Sequence, residues 1–393
     1  MLAKALTVLS LSFGVLAAPT VLQSRSPSSI SDLALQKVLS DASPVFGYYT
    51  TKNTKYSTWM SKYSDSTQLI HLNIPGAHDP QTWNYSQATQ EALKHVTDLD
   101  GNPPLPAEVY RCQEKSFIDM LSAGIRVFDI RYAFDVTNST LVYWHSQGLL
   151  SETATVEDTL FGFYTWLDAH PTETLMLSFQ YEGSTTLYGT NDANVQLQLF
   201  NLLTSAAAKK YFLQTSNAFG TLGEARGKIT LLKRFDMDQL PASYSNLPGV
   251  HFSPSLWTDD DPDITLVYDT VRNATAYIED YYETDVGNGA SAAYNIALKY
   301  NATTSHLLKA ANPTYRDSLF WSFASSENDV NTPIDTPKIM AVGNGTYTPL
   351  GGVNQQLVPF FRRMKGKRLG IVMFDFFDTP GELVESFLDV SPA

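Results

Sequence analysis

The sequence predicts an α/β fold, an irregular (β/α)8 TIM barrel, on three observations. Eight strand-like runs alternate with helical segments along the chain. Several of those runs are continuously apolar, as in a parallel sheet covered on both faces. The polar residues able to do chemistry fall where the runs end, which is where a barrel gathers its functional side chains. An open doubly wound sheet is the alternative, and the two differ in one respect: the first and last strands are neighbours only if the sheet closes.

The chain begins with Met1-Leu2-Ala3-Lys4, an apolar run from Ala5 to Leu16, and Ala17-Ala18. A lysine before a short apolar stretch that ends in small residues is the pattern of a cleaved secretory signal, expected over residues 1–18. The run is short for a membrane span. Residues 19–65 are rich in Ser, Thr and Tyr, with a helical pattern from Asp32 to Leu39 and an aromatic cluster from Tyr48 to Tyr63. They hold too little apolar residue for a core and are expected to wrap the barrel domain, residues 66–393.

The expected strands are Leu69–Ile74, Ile125–Arg131, Leu141–His145, Leu175–Gln180, Ile229–Arg234, Ala276–Glu279, Leu319–Phe323 and Leu369–Asp375. Between them, Thr155 is placed to cap a helix with Asp158 three residues on, and His170-Pro171 stops it. Helices are also expected over Asn194–Leu203 and Ala292–Leu308. A last one has Thr379 as cap, Pro380 in its first turn and Glu382 closing the box. Insertions are expected around Asn246–Thr275 and Ser325–Val353.

The formal net charge of −13 argues against a nucleic-acid partner and against strong electrostatic capture by anionic membranes. Five Asn-x-Ser/Thr acceptors, Asn84, Asn138, Asn273, Asn301 and Asn344, agree with an extracellular glycoprotein. Cys112 is the sole cysteine, so no internal disulfide forms, and it reads as a buried residue outside the histidine clusters. No Gly-x-Ser-x-Gly elbow is present, which counts against a Ser-His-Asp hydrolase.

Three clusters carry chemistry. His78 follows Ile74-Pro75-Gly76-Ala77 and precedes Asp79; a carboxylate beside an imidazole fixes its tautomer and raises its pKa, which suits a general base. Asp129 and Arg131 are two apart on a strand and share a face, so two opposite charges in an apolar run must pair or bind something. His145 ends the run Leu141-Val142-Tyr143-Trp144, and Asp375 ends the last strand, from where it can orient His78 across a closed ring. Two imidazoles and a guanidinium suffice to cleave a phosphodiester, one imidazole taking a proton and the other returning one while the guanidinium holds the phosphate.

The motifs IPGAHD, AGIRVFDIR, the later histidine, HPTETLMLSF, GKITLLKRF and VMFDFFD, in that order, resemble the X-type catalytic domain of phosphatidylinositol-specific phospholipases C, in its metal-independent bacterial-type branch. The likeness covers roughly Leu69 to Leu388. It implies an incomplete (β/α) barrel that cleaves phosphatidylinositol by attack of the inositol 2-hydroxyl on phosphorus, giving diacylglycerol and inositol 1,2-cyclic phosphate. By motif position His78 is the general base, His145 the general acid, Arg131 the phosphate clamp, Asp375 the partner of His78 and Asp79 the partner of His145. Arg234, with Asp280 and Tyr282 in IEDYY, resembles the inositol-binding set.

Gln180 stands where the family has a lysine, Pro80 where it has a small residue after His-Asp, and Ser146-Gln147 precede Gly148 where a glycine often follows the histidine directly. Gln180 and Asp129 complete the expected substrate-binding residues. The calcium-using branch has an Asn after the first histidine and carboxylates at both strand positions; here Asp79 and Arg131 stand in two of those places. The resemblance therefore implies no metal and no other cofactor. A secreted monomer that touches membranes transiently to reach a phosphoinositide or a glycosylated-inositol lipid is the expectation. The alternatives are a non-catalytic inositol-lipid-binding barrel and a glycerophosphodiester hydrolase. Aromatics within Tyr48–Tyr63 and Phe252–Trp257 are candidate interfacial contacts.

Overall fold

The computed structural model describes residues 29–51, 53–97, 103–183, 191–284 and 288–391, so the expected leader at 1–18 lies outside the described residues. Eleven strands are β1 Ile74–Ala77, β2 Val127–Phe134, β3 Leu141–His145, β4 Gly148–Leu149, β5 Leu175–Tyr181, β6 Ile229–Arg234, β7 Val250–His251, β8 Ile264–Asp269, β9 Ala274–Glu279, β10 Leu319–Phe323 and β11 Ile371–Phe374. Nine of them lie in the order β7-β6-β5-β2-β1-β11-β10-β9-β8, with β3 and β4 off this path. Every pair from β7 to β9 is parallel, and β8 returns antiparallel to β9. The first and last strands pair in register, Gly76 opposite Met373, as only the barrel reading requires.

The ring is nearly closed rather than complete. Among the described residues no ladder joins β7 to β8; instead Phe252 and Tyr268 meet across the gap with ring centroids 5.8 Å apart, and Phe219 packs edge-on to Tyr268. The membership of the ring also differs from expectation. Leu141–His145 is a strand but pairs antiparallel with β2 and stands off the barrel, while β7, which lay within an expected insertion, takes a place in it. A two-residue strand carries no periodicity to read. β8 was hidden in the same insertion.

Some boundaries shift for local reasons. Leu69–His71 forms a 3-10 turn, so β1 starts only at Ile74, and β11 spans Ile371–Phe374 rather than Leu369–Asp375. The N-terminal helix runs Ile30–Phe46, longer than the Asp32–Leu39 pattern, with Ser29 and Asp32 forming a capping box. The last helix is Leu383–Leu388 with Glu382 at its N-cap, one turn later than Thr379 and Pro380 suggested. Thr155 caps Val156–Ala169 as its sequence predicts, accepting from the Asp158 amide.

Side chains alternate strictly along the strands. Ile74, Val127, Met176, Leu232, Ile278, Trp321, Ile371 and Met373 fill the barrel interior, whereas Phe128, Ile130, Leu177, Phe179, Leu231 and Phe374 face the helices. The interior position at the C-terminal end of each lane is polar: His78 follows Ile74 and Gly76, Arg131 follows Val127 and Asp129, Gln180 follows Met176 and Ser178, and Asp375 follows Ile371 and Met373. Gly76 lets β1 and β11 close, because a Cβ there would lie 2.3 Å from Met373 Sδ.

The opposite end is plugged by the N-terminal segment. Trp59, Met60, Leu69 and Leu72 join the interior cluster. Fully buried Arg126 pairs with fully buried Glu173 at 2.8 Å and donates to the carbonyls of Tyr56 and Ser57 at 3.0 Å. That buried pair is tolerable because its remaining donors are hydrogen-bonded. Farther out, Phe46 of the first helix packs edge-on against Phe163, 5.3 Å between centroids, over Gly162. No described helix is long and apolar enough to cross a membrane.

Candidate active site

A cavity of about 690 Å³ opens at the C-terminal end of the strands. His78, Asp79, Arg131, His145 and Asp375 all line it, as do Gln180, Arg234, Asp280 and Tyr282. Asp129 does not line it. It lies beneath the floor at 0% exposure, where its Oδ2 accepts from Arg131 Nε at 3.0 Å and Nη2 at 2.9 Å, and its Oδ1 is 3.9 Å from Arg234 Nη1. The expected substrate contact is thus a support for two guanidiniums.

Asp79 is the hub. It leaves β1 in the left-handed region, φ 37°, and its carboxylate is fully buried. Its Oδ2 stands 3.2 Å from His78 Nε2 and 3.2 Å from His145 Nε2, so both imidazoles point at one oxygen. Its Oδ1 accepts from Gln81 Nε2 at 2.9 Å and lies 3.5 Å from Arg131 Nε. The two rings are perpendicular, 6.4 Å between centroids. Asp79 therefore faces both histidines, not one of them.

Each imidazole is oriented from behind. His78 Nδ1–H donates to Asp375 Oδ1 at 2.9 Å, and Asp375 is only 1% exposed. His145 Nδ1–H donates to the Tyr110 carbonyl at 2.7 Å. In both rings this leaves Nε2 directed into the cavity, which fixes the working tautomer. Gln113 Nε2 braces the backbone by donating to the carbonyls of His78 and Phe374 at 2.8 and 2.7 Å, and Asn354 Nδ2 donates to the Asp375 carbonyl at 2.8 Å.

Charges follow from this packing. Burial works against a proton on His78, but the facing carboxylates of Asp79 and Asp375 outweigh it and raise its pKa to about 9. Burial would raise the Asp79 carboxyl, yet His145, Arg131 and His78 hold it well below the usual carboxylate range. Burial pushes Asp375 up, with His78 opposing. Arg131 stays cationic because Asp129, Asp79 and Glu182 overcome its desolvation.

Residues that sequence reasoning left unplaced, or placed elsewhere, complete the site. Glu182, one lane step beyond Gln180 and just past the end of β5, lies 3.7 Å from Arg131 Nη1; its i, i+2 spacing was the available signal. Trp257 covers Arg234, 3.7 Å from guanidinium carbon to ring centroid, and donates from Nε1 to Asp280 Oδ2 at 2.6 Å. Asp280 is also 3.5 Å from Arg234 Nη2. Tyr282 donates its hydroxyl hydrogen to Asp259 Oδ1 at 3.0 Å. Cys112 is buried as expected, but it lies inside the histidine cluster, in the cavity wall. Of the candidate interfacial aromatics, Trp59 and Phe252 are buried and Trp257 stacks on Arg234, while Tyr48 is 83% exposed.

No family model matches the chain. Among curated proteins it is 23% identical over 340 residues to a 1-phosphatidylinositol phosphodiesterase of Staphylococcus aureus (strain Newman), covering 84% of this chain and 93% of that protein. It is 29% identical over 194 residues to the 1-phosphatidylinositol phosphodiesterase of Listeria monocytogenes, 48% of this chain and 50% of that one. PI-PLC X domain-containing protein 1 of Mus musculus is 31% identical over 141 residues, 32% of this chain and 40% of its own. Among solved structures, a phosphatidylinositol-specific phospholipase C from S. aureus superposes with a TM-score of 0.64 at 20% identity, covering 86% of this chain and 97% of that one. The phosphatidylinositol-specific phospholipase C of L. monocytogenes gives 0.59 at 21% identity, covering 86% and 100%. With its motifs at the mouth of the barrel, the chain shares the fold of the phosphatidylinositol-specific phospholipases C and is similar in sequence to 1-phosphatidylinositol phosphodiesterases.

Proposed function

We propose that this protein is a phosphodiesterase that cleaves phosphatidylinositol-type lipids by intramolecular attack. The observation that carries the reading is the pair of Nε2 atoms, each 3.2 Å from the same Asp79 oxygen, with the Arg131 guanidinium beside them. A phosphate seated on Arg131 lies between a base and an acid. His78 Nε2 takes the proton of the inositol 2-hydroxyl while that oxygen forms its bond to phosphorus. The bond from phosphorus to the glycerol oxygen breaks, and His145 Nε2–H protonates the leaving diacylglycerol. Inositol 1,2-cyclic phosphate remains in the cavity. Asp375 stabilises the imidazolium formed on His78, and Asp79 holds the proton-bearing Nε2 of His145.

The ring of the head group rests farther along the cavity, against Arg234, Asp280, Gln180 and Tyr282. Arg131, locked to Asp129 through two hydrogen bonds, supplies positive charge at the phosphate without a metal. Phosphorus NMR of phosphatidylinositol incubated with the protein is expected to show the cyclic ester, with or without chelator. His78→Ala and His145→Ala are each expected to lose roughly 10²–10⁴-fold in turnover. Activity abolished by chelator and restored by calcium defeats the metal-free mechanism.

Export fits the leader-like residues 1–18 and the exposure of all five acceptor asparagines, Asn84, Asn138, Asn273, Asn301 and Asn344. Secreted material is then expected to begin near Ala18 or Pro19 and to lose mass on deglycosylation.

A further inference from the structure

We propose that Cys112, His145 and Asp79 form an inhibitory binding site for a thiophilic divalent ion such as zinc or cadmium. These residues bring one ligand atom each, the Cys112 sulfur, an imidazole nitrogen and a carboxylate oxygen, within 4.8 Å of one another. Metal bonds of about 2.0–2.1 Å meeting at a tetrahedral angle place nitrogen and oxygen roughly 3.3 Å apart. His145 Nε2 and Asp79 Oδ2 are 3.2 Å apart. The sulfur needs a separation of about 3.6 Å from either, a difference that a side-chain rotation covers.

Three further features suit a metal. Asp79 Oδ2 is fully buried and makes no hydrogen bond beyond its ion pairs with the two imidazole Nε2 atoms, so an ion that takes the place of the His145 proton keeps that carboxylate paired. The His145 Nδ1–H bond to the Tyr110 carbonyl is the outer contact that metal-bound imidazoles use, and it turns the Nε2 lone pair inward. Cys112, although fully buried, is among the residues that line the cavity, so the sulfur lies just behind the wall that an entering ion reaches. A second set, His78, Cys112 and Asp375, is equally compact, but there the Asp375 oxygen already accepts from His78, and binding would break that bond.

Burial raises the Cys112 thiol pKa, so the free thiol is a poor nucleophile at neutral pH. A bound ion releases its proton to solvent as the metal–sulfur bond forms, and binding tightens as pH rises. The occupied site removes Nε2 of His145 from proton transfer. Inhibition rests on the proposed function, whereas binding does not.

Cadmium titrated into the full chain is expected to produce the ultraviolet thiolate-to-cadmium absorption, saturating at one equivalent. Cys112→Ala, checked by circular dichroism, is expected to abolish that absorption and to weaken zinc inhibition of phosphatidylinositol cleavage by at least ~10-fold. His145→Gln keeps the thiol and is expected to weaken cadmium binding by a similar factor. Magnesium and calcium in large excess are not expected to compete, since hard cations avoid thiolate. The absence of a thiolate band in the parent protein overturns the site. So does a band indifferent to His145→Gln, because the thiol then acts alone, and so does zinc inhibition unchanged in Cys112→Ala. If Cys112→Ala does not fold, the parent and His145→Gln titrations decide alone.

Discussion

At the scale of single residues, the balance around His78 sets the pH behaviour. Its pKa is raised to about 9 from an ordinary 6.5, so in the resting protein the ring is charged below that midpoint and neutral above it. A base must be neutral to act, so kcat/KM is expected to climb with pH along an acid limb governed by this ring. Asp375→Asn removes one of the carboxylates that favour the proton; the NMR midpoint of His78 and the acid limb should both move to lower pH, and maximal turnover should fall. The same shift has a stability counterpart. Stabilisation from the raised pKa is fully present below about pH 6.5 and is lost as pH rises towards 9. At the neighbouring cation, Arg131→Lys keeps the charge but loses the forked bond to Asp129, and is expected to cost turnover well beyond tenfold, about 1.4 kcal/mol or more of transition-state binding.

At the scale of elements, β1 depends on Gly76. A methyl at that position meets Met373 Sδ at 2.3 Å and Val127 Cβ at 3.0 Å, so Gly76→Ala is expected to destabilise the fold by roughly 1–3 kcal/mol, measured by denaturant unfolding. The lanes of β2, β5, β6 and β11 were legible in the sequence because period-two alternation and long apolar runs mark a sheet buried on both faces. Their polar ends then pointed to Arg131 and Asp375, whereas Gln180 and Arg234 came from the resemblance. β7 was not legible, being two residues long, and β3 was misplaced because a hairpin strand and a ring strand share one pattern. Trp257, read as an interfacial contact, and Cys112, read as lying outside the histidine clusters, were misplaced for another reason. Each comes from a loop, and what places it beside Arg234 or His145 is the closure of the ring, not local sequence.

At the scale of the whole molecule, the net acidity extends to the mouth of the cavity. The inner cavity holds Arg131 and Arg234, while Asp236, Asp238, Asp259, Glu283, Glu327 and Asp329 line its outer wall. Burial raises Glu327 to about 8, with Asp329 and Glu283 adding to the shift. A head group bearing further phosphates meets this wall, and phosphatidylinositol bisphosphate is expected to be cleaved at least ~10-fold more slowly than phosphatidylinositol in mixed micelles.

The placement of Asp129 under the floor has a consequence for how such preferences can change. One carboxylate steadies Arg131 through Oδ2 and faces Arg234 through Oδ1, so the grip on phosphorus and the grip on the sugar ring share an anchor. A substitution that retunes which ring is accepted also loosens the atom being attacked. On the proposed reaction, selectivity and speed are tied mechanically through this one carboxylate.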